Sequence, residues 1–381
     1  MKISERFLNT KAAVFALVAG VFGAVAAMST PVISSDTHFY MSLARAIVEG
    51  KSDVFLTSRS ATWTVLTFPA LLALAQRIAP THWAAVMVAL NVVVGALTAV
   101  LLLWVVTFVT RSQLALGVAL LFYVSAYDIL AWLKFVLTDM VYSCIALAAF
   151  GVALQGIMRE KSTMRRRILL GVLLLASFIT RPAGAILVPL VLLTEWMAVK
   201  RRAPWLLLMV LALVVFFIRA YVYDDMRRWP FDFMKPKLEE YALRESTGEV
   251  VWGRQESFRP PPSSVLDRLT IQTDRFVRFF QITTSGFSRA HNLINLGYYV
   301  PLYLLALLGV IGGFRSSDWR VCVAVQATVI WILGSAWFHA ITILDFDWRY
   351  RLPVMPQLIL LAAAGVDAIV RRFAPQPWPE R

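Results

Sequence analysis

The sequence is poor in charge, cysteine and histidine, and it lacks the common motifs of soluble enzymes. Charged residues make up 16% of the 381 residues, and two cysteines and four histidines are present. Cys144 and Cys322 lie inside apolar runs, and their spacing does not match that of a metal site or a disulfide framework. We find no glycine-rich phosphate loop, no H-E-x-x-H zinc motif and no Ser/His/Asp signature. These absences argue against the common nucleotide-binding, zinc-protease and serine-hydrolase classes.

Long apolar runs are the main feature of the chain. Apolar residues account for 59% of it, a share that ordinary soluble domains do not reach. Runs close to the roughly 20 residues that cross a bilayer recur from end to end. We therefore predict an all-α polytopic membrane protein with about 10–11 transmembrane helices, interfacial helices and one larger extracytoplasmic loop. The candidate segments are 7–28, 61–79, 83–109, 113–130, 138–157, 167–180, 183–199, 204–222, 293–314, 320–341 and 352–370.

The basic residues indicate which loops face the cytosol. They lie before the first apolar segment, between later ones and after the last, at Lys2, Arg6 and Lys11, at 159–167, at 200–202 and at 371–372. This pattern predicts a multi-pass protein of the plasma (inner) membrane with both termini in the cytosol, although an endoplasmic reticulum protein shows the same pattern. An even number of crossings follows, so segment 61–79, which contains Pro69, is the one predicted not to span. We therefore attribute the net charge of +14 to inner loops that lie beside membrane lipids, and we predict no nucleic-acid partner.

The chain divides into three parts. Residues 1–222 form a transmembrane module with a first outer loop at 29–60, residues 223–292 form the long extracytoplasmic loop, and residues 293–381 contain the last helices. Within the long loop, the apolar spacing of 263–282 predicts a surface helix.

Acidic and basic side chains gather on the predicted outer face. Asp36 begins a short predicted helix after the first apolar segment, and Asp139 begins a later segment. Arg181 lies at a break between two segments, while Arg349 and Arg351 precede the last one. Each has a second interpretation: the acids act only as helix N-caps, and the arginines only anchor the protein among lipid headgroups.

Four short motifs resemble those of the GT-C polyprenyl-phosphate-sugar-dependent glycosyltransferases, the group that includes lipid A aminoarabinose transferases and protein mannosyltransferases. They are DTHFY at 36–40, TD at 138–139, TRPAGAILVPL at 180–190 and RYRLPVMP at 349–356. They occur in the family's order and extend over most of the chain. The chain departs from the family at His38, because the family often has two acids close together in the first outer loop.

The resemblance implies a GT-C-like fold and the transfer of a sugar from a polyprenyl-phosphate donor to a lipid, glycan or protein acceptor on the extracytoplasmic face. It implies Asp36 as the base for the acceptor hydroxyl and Asp139 as a second catalytic residue that orients the acceptor. For such a reaction, the candidates that bind the donor phosphate are the basic side chains of Arg181, Arg349 and Arg351, with Lys134 behind them, because guanidinium groups offset the charge that grows on the leaving phosphate. The candidates for contact with the acceptor or the sugar are Tyr40 and Tyr350.

Metal use has two interpretations. Asp36, Asp139 and His38 together offer oxygen ligands and one imidazole, a set that suits a divalent cation such as Mg²⁺, Mn²⁺ or Zn²⁺. In the alternative, His38 is a neutral polar group at the interface and the reaction uses no metal. Structural roles are predicted for the other histidines, which have no partner at metal-ligand spacing: His82, His291 and His339.

Two other classes compete with a transferase. A transporter or flippase of a lipid-linked or small polar substrate has ionisable residues near the bilayer midplane, on helices that line a pathway. Here Asp128, Glu195 and Arg219 lie near the ends of apolar runs, which favours chemistry at the membrane surface. A lipid scaffold needs no particular geometry among its outer charges. A transferase instead predicts that four side chains converge within about 10–12 Å around an outer-facing cavity that fits a sugar phosphate: Asp36, Asp139, Arg181 and Arg349.

Overall fold

The computed structural model describes residues 2–51, 65–110, 112–159, 163–201, 264–284, 287–342 and 348–373, together with residues 208, 211 and 215. These residues are mostly helical, and the only β-type pairing among them is an isolated bridge between Val32 and Phe135. The α-helices, numbered in chain order, are α1 (Lys2–Ala27), α2 (Ser35–Val48), α3 (Thr67–Ile78), α4 (Trp83–Val106), α5 (Gln113–Ser125), α6 (Tyr127–Trp132), α7 (Asp139–Arg159), α8 (Met164–Thr180), α9 (Leu187–Lys200), α10 (Val265–Phe279), α11 (Arg289–Phe314), α12 (Trp319–Thr342) and α13 (Met355–Phe373). Short 3-10 helices at Pro182–Ile186 and Trp348–Val354 lead into α9 and α13.

Seven helices in the described part of the chain are long and apolar enough to cross a membrane. They are α1, α4, α7, α11 and α12, and also α9 and α13 when each is taken with the 3-10 helix before it. The prediction of an all-α polytopic membrane protein is confirmed at this level.

The predicted number of 10–11 transmembrane helices is not reached within the described ranges. Helices α3, α5 and α8 have 12, 13 and 17 residues, and at 1.5 Å per residue they extend about 18–26 Å, less than the roughly 30 Å of hydrocarbon. The predicted segment 113–130 is interrupted at Ala126, whose extended backbone separates α5 from α6. Apart from residues 208, 211 and 215, the predicted segment 204–222 lies outside the described residues, as does most of the long loop.

Polar side chains determine where several helices begin. Ser34 caps α2, because its hydroxyl accepts a hydrogen bond from the Thr37 backbone N–H and its own N–H donates to the Thr37 hydroxyl. The interpretation of Asp36 as the N-cap is therefore wrong, because the cap lies two residues earlier. Ser264 caps α10, which confirms the helix predicted within 263–282.

The core is formed by α7 and by the close pair of α11 and α13. Helix α7 is buried along most of its length, with α4, α8, α9 and α12 against it. The backbones of α11 and α13 touch, because a Cβ atom at Gly309 would overlap the Leu361 carbonyl oxygen and one at Gly365 would overlap that of Leu305. Only glycine permits this approach.

The segment that leads into α7 is tied to α2 and α4. The Val32 N–H donates to the Lys134 carbonyl at 2.9 Å, and the Val32 carbonyl accepts from the Val136 N–H at 3.1 Å. The Thr37 hydroxyl donates to the Val136 carbonyl at 3.0 Å. From α4, the Asn91 side-chain amide donates to two further carbonyls of the segment. The first turn of α2 is thereby held beside the start of α7.

Candidate functional site

Four charged side chains from distant parts of the chain form two ion pairs around one tyrosine. Arg349 donates to the Asp36 carboxylate at 2.9 Å, and Arg181 donates to the Asp139 carboxylate. The guanidinium carbons of Arg181 and Arg349 each lie 5.3 Å from the centre of the Tyr350 ring, so they are no more than twice that distance apart. We call Asp36, Asp139, Arg181, Arg349 and Tyr350 the Tyr350 cluster.

Ser34, and not Asp36, caps α2, and the Asp36 carboxylate pairs with Arg349. Because Ser34 supplies the cap, the backbone N–H groups of the first turn do not need the Asp36 carboxylate. Tyr40 and Leu43, one and two turns further along α2, are buried. Asp36 shares their helix face and therefore points into the bundle.

Arg181 lies in a turn that its neighbours in the sequence favour. Its backbone is extended (φ −157°, ψ 137°), as expected for a residue before a proline, here Pro182. The turn is tight, because a Cβ atom at Gly184 would overlap the backbone of α8. The Tyr142 hydroxyl of α7 donates to the Ala183 carbonyl at 3.1 Å, which holds the turn against the helix that Asp139 begins.

Both ion pairs are largely removed from water. The side chains of both arginines are 12% exposed, that of Asp36 is 14% exposed and that of Asp139 is 4% exposed. Burial acts to lower the pKa of Arg181, but the Asp139 carboxylate together with the Tyr350 and Tyr40 hydroxyls outweighs it, so the pKa lies above its ordinary value and the guanidinium stays charged. Two positive charges thus balance two negative ones. An anionic ligand that binds here must compete with a carboxylate for a guanidinium.

Aromatic side chains lie next to the charged groups. The Tyr40 ring is 5.2 Å from the Phe68 ring, and Tyr40 is close enough to Arg181 for the two to interact electrostatically. The Tyr350 ring stacks on His339 with 4.9 Å between ring centres. The structure therefore brings both predicted acceptor or sugar residues, Tyr40 and Tyr350, to the two ion pairs.

Arg351, predicted beside Arg349 at the donor phosphate, instead lies in a separate buried network. It is fully buried and donates to Asp128 and to the Gln281 carbonyl, each at 2.9 Å. The Tyr299 hydroxyl also donates to Asp128, and the Tyr299 ring centre is 4.0 Å from the Arg351 guanidinium carbon. Arg349 and Arg351 are two residues apart in a 3-10 helix, which has three residues per turn, so their side chains point to different sides. Arg351 joins the start of α13 to α6, α11 and the end of α10.

Lys134 and His38 are not joined to the Tyr350 cluster. Within the described residues, neither side chain forms an ion pair, and His38 is exposed. No three His, Cys, Asp or Glu side chains of the described residues are grouped as a metal would require. Asp36 and Asp139 each hold a guanidinium instead. Asp36, Asp139 and His38 are therefore not grouped in this structure as the metal interpretation requires.

Two features of this region were not predicted. Asp128 was interpreted only as a charge near a helix end, and His339 as a structural histidine. A signal existed for Asp128, because an acid within an apolar run needs a buried partner. None existed for His339, since nothing in the sequence links it to Tyr350.

Comparison with known proteins found no matching family model, no matching curated protein and no matching solved structure. The function therefore has to be inferred from the geometry of the cluster.

Proposed function

We propose that the protein is a membrane glycosyltransferase that moves a sugar from a polyprenyl-phosphate donor to a lipid, glycan or protein acceptor on the extracytoplasmic face of the plasma (inner) membrane. The observation that carries this proposal is the Tyr350 cluster, in which two guanidinium groups lie beside one aromatic ring, each is paired with a carboxylate, and all four charged side chains are largely shielded from water. Asp139 is the first residue of α7, and Arg349 belongs to the 3-10 helix before α13. The cluster thus lies where membrane-spanning helices begin.

The donor's chemistry suits this position. A polyprenyl tail stays in the hydrocarbon, so the phosphate and the sugar lie at the membrane surface, at the depth of the helix ends. Arginine binds phosphate with a planar fork of N–H groups. Because Arg181 and Arg349 both lie beside Tyr350, a phosphate placed against that ring would meet two guanidinium groups. These groups would offset the negative charge that grows on the leaving phosphate.

The proposed reaction is a direct displacement at the anomeric carbon. Asp36 accepts the proton of the acceptor hydroxyl while the hydroxyl oxygen forms its bond to that carbon. The bond from the anomeric carbon to the phosphate oxygen breaks, its electron pair leaves with the polyprenyl phosphate, and the configuration inverts. Arg349 links the two events. A phosphate that takes its guanidinium frees the Asp36 carboxylate, and a carboxylate without a cation is a better proton acceptor.

The other residues of the cluster have supporting roles in this proposal. Asp139 keeps Arg181 in place and orients the acceptor, while Tyr350 and Tyr40 offer ring faces to the sugar. No step is assigned to a metal, to Arg351 or to Lys134.

A transfer assay tests the proposal. Purified protein is given radiolabelled polyprenyl-phosphate sugars and a membrane extract that contains acceptors, and the label is expected to move to an acceptor. Asp36→Asn should lower the rate of transfer by about 10²–10⁴-fold yet bind undecaprenyl phosphate at least as tightly, since the amide cannot take the proton and competes less for Arg349. Asp367→Asn is a matched control, because Asp367 accepts from Arg371 at 2.7 Å in the last turns of α13, far from the cluster. Full transfer by Asp36→Asn, or equal loss in both variants, contradicts the proposal.

A transporter or flippase is the second candidate, and the observation that favours it is one buried ion pair together with one partly buried pair. Arg351 pairs with Asp128, and Arg166 donates to Glu195 at 2.6 Å, although the Glu195 side chain is 29% exposed and both acids lie near the ends of apolar segments. Buried ionisable groups mark substrate pathways in transporters. Proteoliposomes separate the two candidates. A transporter moves a lipid-linked sugar to the other leaflet unchanged, whereas a transferase changes what the sugar is attached to.

A further inference from the structure

His339 lies beside the Tyr350 cluster and has no assigned role. It belongs to the last turns of α12 and is 9% exposed. Its ring stacks on Tyr350, with 4.9 Å between ring centres and 25° between ring planes, and on Phe279 of α10, with 5.9 Å and 19°. The Nδ1 atom is buried and has no hydrogen-bond partner among the described residues.

A buried ring nitrogen without a partner needs an explanation. Nearly all buried polar atoms in proteins are hydrogen-bonded, because leaving one unpaired is destabilising. Stacking alone would be served equally well by phenylalanine, which adds no unpaired atom. The Nδ1 atom of His339 is therefore available to a ligand that enters beside Tyr350.

The neighbours of His339 indicate the chemistry of that ligand. On Tyr350, the ring that His339 stacks against, the guanidinium groups of Arg181 and Arg349 both lie 5.3 Å from the ring centre. Arg181 also interacts electrostatically with His339 itself. A group that enters between these side chains is expected to carry negative charge and several acceptor oxygens, as a phosphate does.

We infer that His339 is a further ligand-binding residue of this site, and that its Nδ1–H donates a hydrogen bond to the phosphate held by Arg181 and Arg349. This inference rests on the proposed function, because the phosphate is that of the lipid-linked donor. In this arrangement the stacking contacts with Tyr350 and Phe279 set the imidazole plane.

Three variants separate the nitrogen from the ring. His339→Phe keeps an aromatic ring for the stack and removes the nitrogen. His339→Asn places an amide N–H near the position of Nδ1 and removes most of the ring. His291→Phe is the matched control, because His291 also stacks on a phenylalanine, Phe287, with 3.8 Å between ring centres, and has a buried nitrogen without a partner among the described residues.

The measurement is equilibrium binding of undecaprenyl phosphate, with undecaprenol as the probe that lacks the phosphate, to protein in nanodiscs. We expect His339→Phe to weaken binding of undecaprenyl phosphate about tenfold or more and to leave undecaprenol binding unchanged. We expect His339→Asn to bind undecaprenyl phosphate with an affinity within about threefold of that of wild type, and His291→Phe to bind it as wild type does.

Other outcomes separate the inference from the proposed function. If His339→Phe binds undecaprenyl phosphate like wild type while Arg349→Met loses binding, the inference is overturned and the proposed function stands. If His339→Phe weakens binding of both probes equally, the ring has a structural role only, which also overturns the inference. If wild type binds both probes equally, the site does not recognise phosphate, and both proposals fail.

Discussion

Replacing Arg349 by methionine should separate the stability of the Tyr350 cluster from its affinity for phosphate. The guanidinium donates to Asp36 at 2.9 Å, and the two side chains are 12% and 14% exposed. Methionine has a similar length but no charge, so it leaves the Asp36 carboxylate without this cation. Removing one partner of a fully buried ion pair costs about 3–5 kcal/mol. The partial exposure of this pair lets water offset some of the loss, so we expect about 1–3 kcal/mol.

The effect on phosphate binding has a different origin. A hydrogen bond to a charged group contributes about 1.5–3 kcal/mol, which corresponds to roughly 10- to 150-fold in affinity. Arg349→Met should therefore weaken binding of undecaprenyl phosphate by that factor and leave undecaprenol binding unchanged. Adding Asp36→Asn removes the uncompensated carboxylate, so the double variant should regain most of the stability without regaining phosphate binding.

Thermal unfolding reports the stability of each variant, and equilibrium binding in nanodiscs reports its affinity. Arg371→Met is the matched control, since Arg371 donates to Asp367 at 2.7 Å in the last turn of α13. We expect this control to retain phosphate binding. The reasoning is refuted if the double variant regains phosphate binding, or if Arg371→Met weakens it as much as Arg349→Met does.

Three further predictions concern catalysis and packing. Asp36→Asn should lower the rate of sugar transfer by about 10²–10⁴-fold in the radiolabel assay, and a rate within threefold of wild type would exclude Asp36 as the base. Gly309→Ala should lower the unfolding temperature, because its Cβ atom would overlap the backbone of α13. Gly297→Ala in the same helix meets nothing within 4 Å and should be neutral or slightly stabilising. Equal effects of the two variants on the unfolding temperature would contradict the close packing. Asp128→Asn should destabilise the protein by about 3–5 kcal/mol, because it leaves Arg351 buried without its carboxylate. Combining it with Arg351→Gln should recover part of that stability in thermal unfolding. An Asp128→Asn variant as stable as wild type would contradict the buried network.

Much of the fold follows from local features of the sequence. Apolar length predicts membrane helices because a span needs a fixed number of residues. The amphipathic spacing of 263–282 predicts α10, and the structure confirms that helix. Apolar length alone does not show where a helix ends. It predicts one segment over 113–130, but the extended backbone at Ala126 ends α5 at Ser125.

The candidate site depends on contacts between distant residues, which local patterns do not specify. Charges on one predicted face suggested that Asp36 and Arg349 come together, but their pairing spans 313 positions along the chain. The same reasoning placed Arg351 with Arg349, although Arg351 pairs with Asp128, 223 positions away. Which of two neighbouring arginines faces which acid is determined by the packing of α6, α11 and the 3-10 helix before α13.

A cryo-electron microscopy structure of the protein with bound undecaprenyl phosphate tests the central proposal most directly. We expect density for the phosphate against the Tyr350 ring, with nitrogen atoms of Arg181 and Arg349 at hydrogen-bonding distance from its oxygens and the Asp36 carboxylate released from Arg349. Phosphate density at the opposite end of α13, with both ion pairs of the cluster intact, would contradict it.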